Sequence, residues 1–372
     1  MDLGFCDRLN QLNNARERQD LIELSMCDPP RFGFRPDESI LKVSEAESLE
    51  QGYPGVQSQL VQGLVKRTKE FTEVKIDESD VLITNGLGGA FAILSIALRG
   101  ESVGIESPFY APIYEYQRRT SHIWFYRCTP ELEWAIDFEL LRKELEQRNK
   151  PGFLFLVTPS NPTGNVHDER ALKRLVDLAG EFGQILVTDE VYDEMSFVPF
   201  TSLLSVAGDV PVIYLHGFSK VWRAPQIRVG YMMFHDPANK ATAVINDIKS
   251  ISRLGFGVNP HSQLIATRLL EETKKHRRRQ IDEIRRRRDV LNDAIRKSDN
   301  LKSVQAEGAT YQFVETPWND WDVCTKLVSD HNILVTPASV FDQYIGDRYL
   351  RVVFLNTPER LSKFVNCLDE LF

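Results

Sequence analysis

From about residue 80, short unbroken apolar runs alternate with longer stretches in which apolar residues return every three or four positions. The runs Val81–Ile83, Ser102–Ile105, Phe153–Val157, Gln184–Val187 and Val212–Leu215 have the length and β-branching of strands buried on both faces. Between them, AFAILSIALRG (90–100) and ERALKRLVDLAGEFG (169–183) carry a helical period and stop at Gly100 and Gly183. Buried strands separated by amphipathic helices predict an α/β domain with a mostly parallel sheet flanked by helices. Beyond about residue 260 the pattern changes. A charged stretch, HRRRQIDEIRRRRDVLNDAIRKS (276–298), leads to shorter candidate strands, TYQFV and YLRVVF. This predicts a second, smaller α+β domain. We expect the large domain to span residues 50–265, and residues 1–49 and 266–372 to form the small one.

Length agrees with two closely associated domains, because 372 residues is long for one core. A composition of 42% hydrophobic and 26% charged residues is that of an ordinary globular chain. The net charge of −8 argues against nonspecific binding to nucleic acid or anionic lipid, while leaving room for a local basic pocket. The arginine run does not alter this, since Ile281, Ile284, Val290, Leu291 and Ile295 recur through it at helical spacing and mark a solvated amphipathic helix. The five cysteines are odd in number, and none stands at a metal-ligand spacing. We therefore expect reduced thiols, with no disulfide framework and no metal. The first twenty residues lack a signal-peptide pattern, and no apolar stretch approaches the ~20 residues that cross a bilayer. The expectation is a soluble cytoplasmic protein.

Open α/β sheets bind ligands at the carboxyl ends of their strands. Thr84-Asn85-Gly86-Leu87-Gly88-Gly89 follows the first run, and Ser107-Pro108-Phe109-Tyr110 follows the second. Thr158-Pro159-Ser160-Asn161-Pro162-Thr163-Gly164 follows the third, Asp189-Glu190-Val191-Tyr192 the fourth, and HGFSKVWRAPQIRVGY (216–231) the fifth. Each segment has a bland explanation: a turn, a helix cap, a core aromatic, a lysine or arginine reaching solvent. A dinucleotide reading of Gly86-x-Gly88 with Glu106 fails at its third glycine position, which is Phe91, and leaves Asn161, Asp189, Tyr192 and Lys220 unused. One cofactor uses the whole series. Pyridoxal 5'-phosphate needs a lysine for its aldehyde, a carboxylate for its pyridine nitrogen and donors for its phenolic oxygen. It also needs an aromatic face for its ring, and amides with a cation for its phosphate.

With SNPTG, TDEVY and SKVWRAPQIRVGY in this order, the chain resembles the fold-type I, class I/II aminotransferase family from about Tyr53 to Arg351. The resemblance implies a pyridoxal-phosphate-dependent transferase that moves an amino group from an L-amino acid to a 2-oxo acid. Lys220 would form the internal aldimine and later carry protons. Asp189 would pair with the pyridinium nitrogen, while Tyr192 and Asn161 would serve the phenolic oxygen and Tyr110 would stack on the ring. Leu87 and Gly88 amides, Ser219 and Arg228 would hold the phosphate. Arg351 would grip the substrate carboxylate, with Asn161 beside it. Tyr53 would reach the phosphate of a neighbouring subunit, which makes a homodimer the expected partner state. The same equipment also serves a carbon–sulfur β-lyase, a synthase or a decarboxylase, and the motifs do not choose among them. Three positions depart from the family pattern. Gly217 stands where many members have serine, and Arg223 and Gln226 stand where glycines are common. Arg223 is expected at the surface. Trp222, Tyr110, Phe256 and Tyr311 hint at an apolar or aromatic substrate pocket.

Overall fold

The computed structural model describes residues 12–44, 55–254, 257–342 and 345–371. A seven-stranded sheet forms its centre. The strands are β1 (Val81–Asn85), β2 (Ser102–Ser107), β3 (His122–Arg127), β4 (Gly152–Val157), β5 (Gln184–Asp189), β6 (Val212–Gly217) and β7 (Val229–His235). Their order is β1-β7-β6-β5-β4-β2-β3. β7 runs antiparallel to both its neighbours, and every other pairing is parallel.

The apolar runs are continuous because both faces are covered. Along β4, Leu154 and Leu156 enter one core, while Phe153, Phe155 and Val157 enter the other. This is the period-two alternation of a strand resolved onto two buried faces. The helix Glu169–Glu181 covers the first face with Leu172, Leu175, Val176 and Ala179. The helices Gly86–Ala97 and Thr242–Ser252 cover the second with Phe91, Ile93, Leu94, Ile245 and Ile248.

All five predicted strands form, each one or more residues longer than its apolar run. Two strands of the central sheet lie outside the predicted set. β3, HIWFYR, is an edge strand with a mixed exposure pattern, so it has no unbroken apolar signature. β7, VGYMMFH, is buried through Phe234 but directly follows the polar Lys220 loop, where the sequence motif masks it. The first predicted helix begins at Gly86 instead of residue 90, so the glycine-rich turn is itself the helix start.

A three-stranded antiparallel sheet lies in the C-terminal part, with Tyr349–Val353 between Tyr311–Glu315 and Thr336–Pro337. The charged helix runs from Lys274 to Ile295 and buries Ile284, Leu291 and Ile295. It packs against the helix Pro358–Glu370. Ile22–Glu23 pairs in parallel with Ile333–Leu334, and the Val353 N–H donates to the Leu24 carbonyl at 2.8 Å. These contacts lay residues 22–24 against the C-terminal part, and the following Cys27 carbonyl accepts from Lys220 just beyond the carboxyl end of β6. No described helix is long and apolar enough to cross a membrane.

Candidate active site

At the carboxyl end of β1 the chain turns directly into a helix. Gly86 adopts φ +61°, and a Cβ there would stand 2.6 Å from the Arg228 Nη2 atom. The guanidinium of Arg228 therefore occupies the place of a side chain at the first residue of the helix. Gly230 is equally constrained: its Cβ would meet the Gly86 carbonyl carbon at 2.7 Å and the Leu87 nitrogen at 3.0 Å. No side chain caps this helix. The first-turn amides of Leu87 and Gly88 thus lack an intrahelical acceptor and lie beside a cation, an arrangement suited to an anionic phosphate.

Those two residues line one cavity with Tyr110, Asn161, Asp189 and Tyr192. Ser219, Lys220 and Arg228 are in the same wall, with Val157 among the apolar residues beside them. Asp189 is 2% exposed, and its Oδ1 accepts the Val191 N–H at 3.1 Å. Burial pushes its pKa up to about 7, although the Val191 N–H and the Lys220 charge pull downward. Such a carboxylate is short of a cationic partner. The Lys220 Nζ donates to the Cys27 carbonyl at 2.8 Å and lies 5.9 Å from the Tyr192 ring centroid. The Tyr110 hydroxyl is pushed up to about 12 by burial and then by Asp189, so it is a neutral donor.

Arg351 comes from the central strand of the small sheet and is buried, not on an exposed strand face. Its Nη1 donates to Asn161 Oδ1 at 3.1 Å, its Nη2 to the Ser25 carbonyl at 2.5 Å, and its Nε has no partner. The guanidinium lies 4.7 Å from the Tyr311 ring centroid and 4.4 Å from that of Phe341. Tyr311 also meets Tyr192, hydroxyl to hydroxyl, at 2.9 Å.

Two sequence expectations change. Arg223 is not at the surface: it is 2% exposed and pairs with Glu272 at 2.5 Å, within a buried network that also holds Arg277 and Glu194. Its φ of +53° explains why glycine suits this position. Trp222 does not line the Lys220 cavity. It is buried against Phe218 and His216, with Arg67 over its ring at 4.9 Å. Ser25 and Cys27 enter the site through their carbonyls, which sequence reading missed because a backbone contact leaves no residue signature. Tyr53 and Phe256 lie outside the described residues. At Gly217, a Cβ would sit 3.2 Å from the Val229 carbonyl oxygen and 3.3 Å from the Gly230 Cα, so a serine would strain this closely approached strand pair.

The cavity measures about 170 Å³. That is below the ~300–1,000 Å³ of drug-sized sites. It suits a single substituted ring and is too small for a dinucleotide. A buried carboxyl group without a salt bridge, an uncapped helix start beside Arg228, and a lysine in the same cavity wall fit pyridoxal phosphate at its ring nitrogen, phosphate and aldehyde respectively.

Comparison with known proteins gives the same picture. The sequence profile of aminotransferase class I and II matches residues 22–368. The aspartate aminotransferase of Thermotoga maritima is 26% identical, over 95% of this chain and 92% of its own. The tyrosine aminotransferase of Dictyostelium discoideum is 23% identical, over 92% and 86%. The solved structure of an alanine aminotransferase from Pyrococcus furiosus superposes with a TM-score of 0.90 at 26% identity, covering 99% of this chain and 98% of that one. A profile that runs through nearly the whole chain settles the relationship: this chain belongs to the class I and II aminotransferase family.

Proposed function

We propose that the Lys220 cavity transfers an amino group from an L-amino acid with an apolar or aromatic side chain to a 2-oxo acid, with pyridoxal phosphate as cofactor. One observation carries the reading. Lys220 and Arg351 donate to the carbonyls of Cys27 and Ser25, two residues apart on one segment. Two residues span at most about 7 Å. The reacting amine and the carboxylate grip are therefore anchored at nearby points of one short segment, as a site for a single amino acid requires.

When bound, pyridoxal phosphate supplies an aldehyde that condenses with amines and an electron-poor ring that accepts charge from the substrate Cα. Lys220 would hold it through Nζ and, once displaced by substrate, move the Cα proton. Asp189 would face the ring nitrogen, where its buried carboxylate gains most from a positive charge. The Oδ1 of Asn161 is taken by Arg351, which leaves Nδ2 to donate to the phenolic oxygen. Tyr311 bonds Tyr192 and so directs the Tyr192 hydroxyl. Leu87, Gly88, Ser219 and Arg228 would bind the phosphate, and Tyr110 would cover the ring. Arg351 would exchange the Ser25 carbonyl for the substrate carboxylate, a charged acceptor that binds its fork more strongly.

The side-chain preference rests on Tyr110 and Tyr192 in the cavity wall and on Tyr311 and Phe341, whose rings lie against the Arg351 guanidinium. Relatives named for aspartate, alanine and tyrosine leave that choice to this chain's own walls. We place the enzyme in the cytoplasm as a homodimer. The buried, unpaired Cys27, Cys128, Cys324 and Cys367 suit a reducing compartment. Light scattering should return twice the chain mass, and an active monomer would refute the dimer.

The assignment of Lys220 is tested by borohydride reduction of the cofactor-loaded protein followed by peptide mapping. Cofactor mass should appear on the Lys220 peptide, and Lys220→Ala should have no turnover in a coupled assay. Label on another lysine, or substantial turnover by the variant, would end the proposal.

A further inference from the structure

Next to Val157, which lines the cofactor cavity, three side chains from distant parts of the sequence converge. Glu106 comes from the end of β2, Cys128 directly follows β3, and His167 lies in the loop after Asn161-Pro162-Thr163-Gly164. Their exposures are 3%, 5% and 3%. A carboxylate oxygen of Glu106, the Cys128 sulfur and a ring nitrogen of His167 all lie within 4.8 Å of one another.

The cluster is incomplete as it stands. Glu106 Oε1 accepts the Val157 N–H at 3.0 Å, but Oε2 is buried with no hydrogen-bond partner. His167 Nε2 stands 3.6 Å from Oε2, longer than an ordinary hydrogen bond. A buried carboxylate oxygen left unpaired is costly, and the feature needs an explanation. We propose that Glu106, Cys128 and His167 bind one divalent zinc ion, a site separate from the aminotransferase centre.

Thiolate, imidazole and carboxylate together are a zinc donor set. Zinc bonds of about 2.0–2.3 Å in a tetrahedron place ligand atoms roughly 3.3–3.8 Å apart, so the cluster needs to close by about 1 Å. His167 Nδ1 lies 3.4 Å from the Asn165 side-chain amide, which would orient the ring once the amide oxygen faces it. His167 and Asn165 also line a cavity of about 750 Å³, which offers a path for the ion and a water as fourth ligand. Binding releases the Cys128 thiol proton to solvent. The cysteine spacing along the chain gives no hint of this site, because its ligands meet only through the sheet. Its role would be to clamp the strand ends: Glu106 already holds Val157, which pairs with Asp189 across the sheet and lines the cofactor cavity.

The test uses the full-length, cofactor-loaded protein. It is stripped with a chelator, dialysed against dilute zinc and then against metal-free buffer, and its metal is counted by atomic emission. About one zinc per chain should remain, falling to background in both Cys128→Ser and His167→Gln. Cobalt loading of the wild-type protein should give a thiolate-to-metal absorption band, which settles the matter even if a variant folds poorly. No metal above the chelated background, a cobalt complex without the thiolate band, or equal retention by both folded variants would each overturn the proposal.

Discussion

Arg351 Nη1 donates to Asn161 Oδ1 at 3.1 Å across 190 positions of sequence, joining the small sheet to the loop after β4. The bond orients the Asn161 amide and fixes the guanidinium next to the place where substrate must enter. Arg351→Lys keeps the charge but loses the planar fork. Charge-assisted hydrogen bonds contribute about 1.5–3 kcal/mol, so kcat/KM should fall roughly 10- to 150-fold, mostly through KM. Steady-state kinetics over a range of amino acid concentrations checks this. An unchanged KM would remove Arg351 from the substrate grip.

The burial of Asp189 predicts a pH signature in the cofactor-free protein. Its folded pKa, about 7, stands above the ordinary carboxylate value. Between about pH 4 and 7 the folded chain therefore binds a proton that the unfolded chain has released. Stability from this group falls as pH rises through that window and levels off above it. Glu190, pushed up to about 8 by burial, adds the same sign slightly further up the scale. Asp189→Asn should flatten the slope of melting temperature against pH and lower turnover of the loaded enzyme roughly a hundredfold or more. An unaltered slope in this variant would contradict the assignment.

Gly230→Ala tests the phosphate cradle. The added methyl would stand 2.7 Å from the Gly86 carbonyl carbon and 3.0 Å from the Leu87 nitrogen, so the turn presenting the amides must shift. Cofactor affinity should weaken about tenfold, equivalent to about 1.4 kcal/mol. Turnover at saturating cofactor should stay near the wild-type value. Fluorescence titration with pyridoxal phosphate measures the loss, and an unchanged affinity would place the phosphate elsewhere.

Arg223→Gly separates backbone strain from charge. Glycine relieves a left-handed residue by about 1 kcal/mol, but it leaves Glu272 buried with a weakened set of partners. Breaking a buried pair costs about 3–5 kcal/mol, so a net destabilisation of about 2–4 kcal/mol is expected. Adding Glu272→Gln should recover part of it. Denaturant unfolding of the two single variants and the double variant measures the coupling. Additive losses would show that the pair is not coupled.

What the sequence conveyed followed from periodicity and order. Phe153–Val157 could be read as a buried strand because alternate residues serve two cores, and Asp189 and Lys220 could be placed at neighbouring strand ends because β5 and β6 are adjacent. The same reasoning missed β3, whose half-exposed edge breaks the apolar pattern. Arg223 was misplaced because only the fold brings Glu272 to it across 49 positions. The carbonyls of Ser25 and Cys27 could not be anticipated, since any residue can supply a carbonyl.

The central claim is that Lys220, Asp189 and Arg351 form an amino-transfer site. Its most direct test is a single-turnover experiment on the cofactor-loaded protein, supplied with one amino acid and no 2-oxo acid. The account predicts one 2-oxo acid released per site, loss of the visible cofactor band, and recovery of that band when a second 2-oxo acid is added. Continuous release of ammonia without any added 2-oxo acid would mean that the site eliminates instead of transferring, and would contradict the account.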